Sequence, residues 1–186
     1  MQDRIWTVSN ILSMLRIALI IPVGYLLLYD FEQYNIHALI LIVAASLTDL
    51  FDGMIARSMN QVTEFGKIID PVADKLCVAF IVGILVYQGK IPVWLLLLAL
   101  SRDVVIFVCG VYLKKSRNIV PSSNLAGKLA VASLAFLVVV AVLDIDRLSL
   151  VKEILIALSA AFILLSSFLY TIRFRKMLQN NILNAN

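Results

Sequence analysis

The stretch that decides the fold of this chain is residues 49–74, which read DLFDGMIARSMNQVTEFGKIIDPVAD. It carries four aspartates, Asp49, Asp52, Asp70 and Asp74, in a chain that is 62% hydrophobic and only 15% charged. The mean hydropathy of +0.98 lies far from that of a soluble domain and indicates a membrane protein. Acidic side chains inside a bilayer are costly unless they are paired, hydrated or bound to a cation, so this cluster is a candidate functional site.

Apolar segments extend on both sides of this stretch. A transmembrane helix needs about 20 mostly apolar residues. The apolar runs and the breakers between them predict spans near 8–29, 37–57, 69–88, 92–113, 125–144 and 150–172. We therefore expect an all-α, polytopic membrane protein with six transmembrane helices in a single domain, 1–186. No basic surface domain remains to bind nucleic acid, which excludes that class of partner.

The distribution of basic residues predicts the orientation in the membrane. Both termini and the second and fourth connections carry most of them: Arg4, Arg57, Lys67, Lys114, Lys115, Arg117, Lys128, Arg173, Arg175 and Lys176. The opposite loops carry only Lys90, Arg147 and Lys152. By the positive-inside rule, both termini and the turn between the aspartate pairs face the cytoplasm.

Helical spacing groups the small and acidic residues of the stretch. At about 100° per residue, one face of the second helix holds four of them together with a basic residue: Asp49, Asp52, Gly53, Ala56 and Arg57. On the next helix, steps of four residues place Gly66, Asp70 and Asp74 on one stripe. Two acidic stripes are then able to face each other at the cytoplasmic edge of the membrane.

Carboxylates as the only strong ligands suit hard, oxygen-preferring cations, so the pattern points to Mg²⁺ or Mn²⁺. Two such ions about 3.5–4 Å apart are a recurring device in phosphoryl transfer, where they stabilise the attacking and leaving oxygens. Gly53 and Ala56 leave room for a bulky group near the backbone. The alternative is a set of structural salt bridges from the aspartates to Arg57, Lys67 and Lys75.

The complete pattern, Asp49-x2-Asp52-Gly53-x2-Ala56-Arg57-x8-Gly66-x3-Asp70-x3-Asp74, resembles the signature of the CDP-alcohol phosphotransferase family at every position. The resemblance implies that family's six-helix fold and a metal-dependent transfer of a phosphatidyl group from CDP-diacylglycerol to an alcohol, with release of CMP. It also implies a homodimer in a bacterial inner (cell) membrane, with a cytoplasmic active site.

Carried over residue by residue, the resemblance makes Asp49, Asp52, Asp70 and Asp74 the ligands of two metal ions. By the same resemblance, Asp74 would also act as the general base. The CDP-lipid would be bound by Asp52, Gly53, Ala56 and Gly66, with Arg57 on a phosphate.

The N-terminal segment resembles the Asn-x-Leu-Thr-x-x-Arg opening of phosphatidylglycerophosphate synthases and cardiolipin synthases. Asn10 and Arg16 match, whereas Ser13 replaces the Thr and Ser9 replaces a preceding Pro. Asn10 is therefore expected to orient the CDP-lipid diphosphate and Arg16 to contact the acceptor. A snorkelling Arg at a span end is the structural alternative for Arg16.

Three further basic residues are candidate ligands of the acceptor: Lys75, Arg102 and Lys128. Arg102 and Asp103 lie deep in the fourth span, where they either pair with other helices or face the site. Phosphatidylglycerophosphate synthases commonly carry a second Lys two positions after the one that Lys128 resembles, and here that position is Ala130. Glycerol 3-phosphate is the expected acceptor, and the alanine leaves room for phosphatidylglycerol, the acceptor of cardiolipin synthases.

Two other classes of membrane protein use intramembrane acids. A prenyltransferase with two aspartate-rich motifs keeps them far apart and usually has about nine spans, whereas all four aspartates here lie between 49 and 74. A transporter spreads its acids through the bilayer midplane rather than around one cytoplasmic turn. The clustering therefore favours the transferase.

Overall fold

The protein is described here by a computed structural model, which covers the backbone of residues 8–29, 32–58, 66–117 and 125–183. Within these, the described side chains are those of residues 18–29, 34–47, 75–112, 125–175 and 177. All regular structure in these residues is helical, in six α-helices and one short 3₁₀ turn, Asp146–Leu148. The helices are α1 Val8–Leu28, α2 Glu32–Ser58, α3 Gly66–Tyr87, α4 Val93–Arg117, α5 Leu125–Leu143 and α6 Ser149–Leu183.

The six helices confirm the predicted all-α order, but α6 does not end where hydropathy does. It ends at Leu183 rather than near 172, and its 35 residues correspond to about 50 Å at about 1.5 Å per residue. The hydrocarbon core of a bilayer is only about 30 Å thick. Arg, Lys, Met, Leu and Gln, which fill positions 175–179, are strong helix formers, so the helix continues after the apolar run has ended.

Three of the helices contain segments long and apolar enough to cross a membrane: Val93–Tyr112, Leu125–Leu143 and Asp146–Arg175. Among the described side chains of the first three helices, the apolar segments are shorter: Ala18–Leu28, Tyr34–Leu47 and Lys75–Tyr87. Large apolar side chains such as Phe107, Phe136 and Phe168 are mostly exposed. Apolar surface on this scale is typical of a lipid-facing protein, so the chain is a membrane protein.

The described helices form two compact units. The first contains α1, α2, α3 and residues 142–144. Its helix α1 packs against both α2 and α3. Gly24 permits the close approach of α3, because a Cβ at this position would lie 2.9 Å from Cε1 of Phe80. One turn further along α1, the side-chain amide of Gln88, the residue after α3, donates to the Leu27 carbonyl at 2.5 Å. The later residue of α1 thus contacts the later residue of the α3 region, so α1 and α3 run parallel.

The end of α3 is closed by a Schellman motif. The Lys90 N–H donates to the Leu85 carbonyl at 2.9 Å and the Gly89 N–H to the Val86 carbonyl at 3.0 Å. This motif requires a left-handed residue, and Gly89 supplies it with φ of 73°. The Lys90 side chain then lies buried with its Nζ 3.1 Å from Oδ2 of Asp144, which itself has a φ of 50°.

The second unit contains α4, most of α5, the 3₁₀ turn and α6. Three side-chain contacts link its helices α4 and α6, and they follow the same order along both helices. Arg102 donates to Ser166, the Tyr170 hydroxyl donates to the Ile106 carbonyl at 3.3 Å, and the rings of Tyr112 and Phe174 lie 6.2 Å apart. The residue numbers of the contacts rise together in α4 and α6, so the two helices are parallel. The segment between them must therefore lead back to the end of the unit at which α4 begins.

Candidate active site

The predicted metal ligands occupy two helices of the first unit. Asp49 and Asp52 lie in the C-terminal part of α2, and Asp70 and Asp74 lie in the first three turns of α3. The backbone at all four positions is helical, so the spacings of three and four residues do repeat about once per turn. Both helices pack against α1. The backbone thus provides two acidic helix segments with a common neighbour.

The side chains of this acidic segment lie outside the described residues, and so do those of Gly53, Ala56, Arg57 and Gly66. The same holds for Asn10 and Arg16, whose backbone belongs to α1. Among the side chains that are described, no group of three or more His, Cys, Asp or Glu residues could hold a metal ion. The roles given to these residues, and the facing of the two stripes, therefore stay predictions.

The donor set itself can be compared with the expected ions. The four predicted ligands are carboxylates, and they lie on two helices in the same unit. His37, the single histidine, lies on α2 about three turns from Asp49, and its side chain is exposed. Oxygen ligands without His or Cys fit Mg²⁺ or Mn²⁺ better than zinc.

Lys75, a predicted acceptor ligand, follows Asp74 directly and is exposed. Lys128 lies in the first turn of α5 and is also exposed, whereas its neighbours Ala126 and Gly127 are buried. Ala130 is buried, and its carbonyl accepts a hydrogen bond from the Ser133 hydroxyl at 3.0 Å. A lysine would therefore occupy a buried position here, and Ala130 carries no charge there.

Arg102 and Asp103 lie midway along the candidate span Val93–Tyr112. Nη1 of Arg102 donates to Oδ1 of Asp103 at 2.7 Å, and Nη2 donates to Oγ of Ser166 at 3.1 Å. The Arg102 side chain is only 16% exposed. Adjacent residues on a helix point about 100° apart, so the two charged groups meet only because the arginine side chain is long. Arg102 therefore contacts another helix, α6, through Ser166, and its role at the site stays a prediction.

Sequence reasoning missed the partners of two basic residues: Ser166 of α6, which accepts from Arg102, and Asp144 just after α5, which pairs with Lys90. Ser166 is 1% exposed, yet in the sequence it is one hydroxyl among many in an apolar helix. Asp144 and Lys90 were counted only as loop charges. A serine facing a buried charge has no local signature, because its partner lies 64 residues away.

The sequence profile of the CDP-alcohol phosphatidyltransferase family matches residues 6–165. The chain belongs to this family. The match includes the whole aspartate pattern and five of the six helices in full or nearly so, which confirms the resemblance found in residues 49–74.

Several named members of the CDP-alcohol phosphatidyltransferase family are similar to this chain. The CDP-diacylglycerol--glycerol-3-phosphate 3-phosphatidyltransferase of Aquifex aeolicus is 31% identical over 179 residues, which cover 92% of this chain and 97% of the relative. The enzyme of the same name from Rickettsia bellii is 35% identical over 167 residues, covering 87% of this chain and 91% of the relative.

Cardiolipin synthases of the family are also similar, but over a shorter segment. The CMP-forming cardiolipin synthase of Rattus norvegicus is 42% identical over 110 residues, which cover 59% of this chain. That segment spans 35% of the rat protein, and the alignment with the human cardiolipin synthase spans 36% of its length. The name of the cardiolipin synthases says that they form CMP, whereas the name of the other relatives gives CDP-diacylglycerol and glycerol 3-phosphate.

Proposed function

We propose that this protein transfers the phosphatidyl group of CDP-diacylglycerol to glycerol 3-phosphate, releasing CMP and forming phosphatidylglycerophosphate in phospholipid biosynthesis. The observation that carries the proposal is the match of both the family profile and the complete aspartate pattern. The choice of acceptor is supported by relatives of that name that align over most of both chains.

In the proposed site, Asp49, Asp52, Asp70 and Asp74 bind two divalent cations, Mg²⁺ or Mn²⁺. When bound, such ions neutralise the charge of the diphosphate and of the leaving group. Gly53, Ala56 and Gly66 leave space for the nucleotide beside the backbone, while Asn10 and Arg57 contact the diphosphate. Arg16, Lys75, Arg102 and Lys128 are the proposed ligands of the acceptor phosphate.

The reaction needs a base for the acceptor hydroxyl and a phosphorus atom of the CDP-lipid that this hydroxyl can attack. Asp74 accepts the proton of the acceptor hydroxyl, whose oxygen attacks the β-phosphorus of the CDP-lipid. The bond between that phosphorus and the bridging oxygen breaks, and CMP leaves with the oxygen. A carboxylate with an ordinary pKa of about 4 is a weak base for an alcohol, so metal activation or concerted proton transfer must supply much of the effect.

The proposed setting is the cytoplasmic edge of a bacterial inner membrane, with six transmembrane helices and both termini in the cytoplasm. There the water-soluble acceptor and the acyl chains of the CDP-lipid reach the same site. The orientation is supported by the basic residues of the expected cytoplasmic segments. A homodimer and a single domain over 1–186 are parts of the same proposal.

The test is CMP release by purified protein supplied with CDP-diacylglycerol and glycerol 3-phosphate, with and without Mg²⁺ or Mn²⁺. The expected product is phosphatidylglycerophosphate, and the Asp74→Asn variant should lose activity. Full activity in that variant would refute the role given to Asp74. Metal-independent turnover would refute the metal site.

One other acceptor has specific support. The 42% identity with the rat cardiolipin synthase and the buried Ala130 at the position of an expected lysine favour phosphatidylglycerol as an alternative acceptor, giving cardiolipin. Supplying each acceptor separately, with inositol phosphate and serine as further candidates, and identifying the lipid product decides between them.

A further inference from the structure

The Arg102 guanidinium is fixed on two sides and open on a third. Asp103 and Ser166 accept from Nη1 and Nη2, at 2.7 and 3.1 Å. The Nε–H is buried, and no acceptor within the described part of the chain reaches it. A buried donor left without an acceptor is unfavourable, because it has lost its water and gained nothing in return. The open Nε–H therefore points to an acceptor atom that is not part of the described chain.

A purely structural link between α4 and α6 would not need this charge. Tyr170 already joins the two helices one turn further along, through a neutral hydrogen bond to the Ile106 carbonyl. An arginine midway along an apolar span is costly, and buried ion pairs can often be replaced by apolar groups without loss of stability. The charge is better explained by a ligand than by helix packing.

The geometry points to Asp103 and Ser166 as positioning residues for Arg102. We infer that they hold the guanidinium so that its Nε–H edge meets an oxygen of the acceptor's phosphate group. The Nε–H shares that edge with Nη2, which carries two N–H groups, of which Ser166 accepts one. A fixed, planar pair of donors is the arrangement that recognises phosphate oxygens. The inference rests on the proposed function, since it requires an acceptor that carries phosphate.

The two positioning residues act in different ways. Ser166 is 1% exposed and is held on α6, so it fixes the guanidinium relative to a second helix. The Asp103 carboxylate is 31% exposed and fixes the guanidinium relative to its own helix. The negative charge of Asp103 also neutralises the positive charge of Arg102. An anion at the Nε edge would therefore be bound mainly through hydrogen bonds rather than through net charge.

The chain offers matched controls for both residues. Ser167 neighbours Ser166, and its hydroxyl donates to the Ile163 carbonyl of its own helix at 2.8 Å. Ser101 directly precedes Arg102 in α4. Its side chain is exposed, and its hydroxyl donates to the Leu98 carbonyl at 2.8 Å. The Ser167→Ala and Ser101→Ala variants remove a hydroxyl at nearly the same place without touching the guanidinium.

The experiment measures kcat and both KM values for the full-length protein in lipid–detergent micelles. The acceptors are glycerol 3-phosphate and, separately, phosphatidylglycerol. Ser166→Ala should raise the acceptor KM about three- to tenfold, the usual net effect of losing one intramolecular hydrogen bond, and leave the KM of CDP-diacylglycerol unchanged. The conservative Ser166→Thr should restore much of the loss, and both control variants should behave as wild type.

Asp103→Ala, which removes both the negative charge and the oxygen that accepts from Nη1, supplies a test of sign. If Asp103 positions Arg102, its replacement raises the acceptor KM even though a negative charge near an anion has been removed. If the acceptor KM falls, Asp103 acts only by charge and the positioning role is refuted. Equal rises in both KM values, or a Ser166→Ala variant matching Ser167→Ala, would also overturn the inference.

A second readout separates this inference from the proposed function. Thermal unfolding is followed with and without glycerol 3-phosphate in the absence of CDP-diacylglycerol. Stabilisation of the wild type that is lost in Ser166→Ala supports the phosphate contact even if the protein releases no CMP, in which case the proposed reaction alone fails. If phosphatidylglycerol supports turnover and glycerol 3-phosphate does not, the acceptor is phosphatidylglycerol. The inference then requires that Ser166→Ala raise the KM of that lipid, and an unchanged KM overturns it. If neither acceptor gives turnover and glycerol 3-phosphate gives no stabilisation, the inference is wrong.

Discussion

Replacement of Asp144 tests how the buried Lys90 charge is stabilised at the end of α3. The two charged atoms lie 3.1 Å apart, with side chains that are 8% and 39% exposed for Lys90 and Asp144. At an effective dielectric constant of about 20, their attraction is about 5 kcal/mol before the cost of removing them from water. Exposed pairs contribute about 0–1 kcal/mol and breaking a buried pair costs about 3–5 kcal/mol. The partly exposed Asp144 places this pair between them, at about 1–2 kcal/mol.

Three substitutions separate the ion pair from the backbone. Asp144→Asn keeps an acceptor atom and tolerates the φ of 50°, so it should be the mildest. Asp144→Gly loses the pair but adopts this φ freely. Asp144→Ala loses the pair and holds an L-residue in the left-handed region, which adds about 1–2 kcal/mol. At about 2–4 °C per kcal/mol for a chain of this size, Gly should lower Tm by about 2–8 °C and Ala by more.

The assay is thermal unfolding of purified protein in a fixed detergent, run as a double-mutant cycle with Lys90→Met. The cycle also removes the effect of glycine on the unfolded chain, which is common to both backgrounds. Asp144→Gly should lower Tm less when Lys90 is already methionine. Equal losses in the two backgrounds would show that the pair contributes nothing, and equal Tm values for Gly and Ala would show that the backbone at 144 is unstrained.

Three other predictions concern helix packing and the metal site. Gly24→Leu should lower the free energy of unfolding by about 1–3 kcal/mol because its side chain must displace the Phe80 ring, whereas Gly83→Ala, with no atom within 4 Å of the new Cβ, should be neutral or slightly stabilising in the same unfolding assay. Tyr170→Phe should cost about 0.5–1.5 kcal/mol by removing one hydrogen bond, and an unchanged Tm would argue against that bond. Chelation of divalent metal, or Asp70→Asn, should abolish CMP release while the protein still elutes as a folded species by size exclusion; retained activity would contradict the predicted ligand set.

The order and approximate positions of the helices could be predicted from sequence because apolar runs and breakers report directly on them. Their ends could not. Hydropathy falls at Arg173, but α6 continues to Leu183 because a helix end depends on propensity and capping rather than on polarity. Likewise α2 begins at Glu32, one turn before the apolar run, since glutamate and glutamine are good helix formers.

The candidate active site could be predicted as a pattern on helices, because a spacing of three or four residues has a fixed meaning once the backbone is helical. The hydrogen-bond partners of Arg102 could not be predicted in this way. Its carboxylate partner is the next residue, which helical geometry directs elsewhere, and its hydroxyl partner lies on α6. Contacts of this kind depend on side-chain length and on tertiary packing, and neither is encoded by local periodicity.

The pairing of Arg102 with its own neighbour has a consequence for biogenesis. When α4 leaves the ribosome, Ser166 is still 64 residues away in the chain, which is about 3–13 s of synthesis at about 5–20 residues per second. Asp103 is available at once, so the helix can enter the lipid with its arginine already neutralised and await the later helix. Asp103→Ala should therefore reduce translocon-mediated insertion of the isolated α4 segment, while Ser166→Ala in the full chain should leave insertion of α4 unchanged and weaken only its later packing.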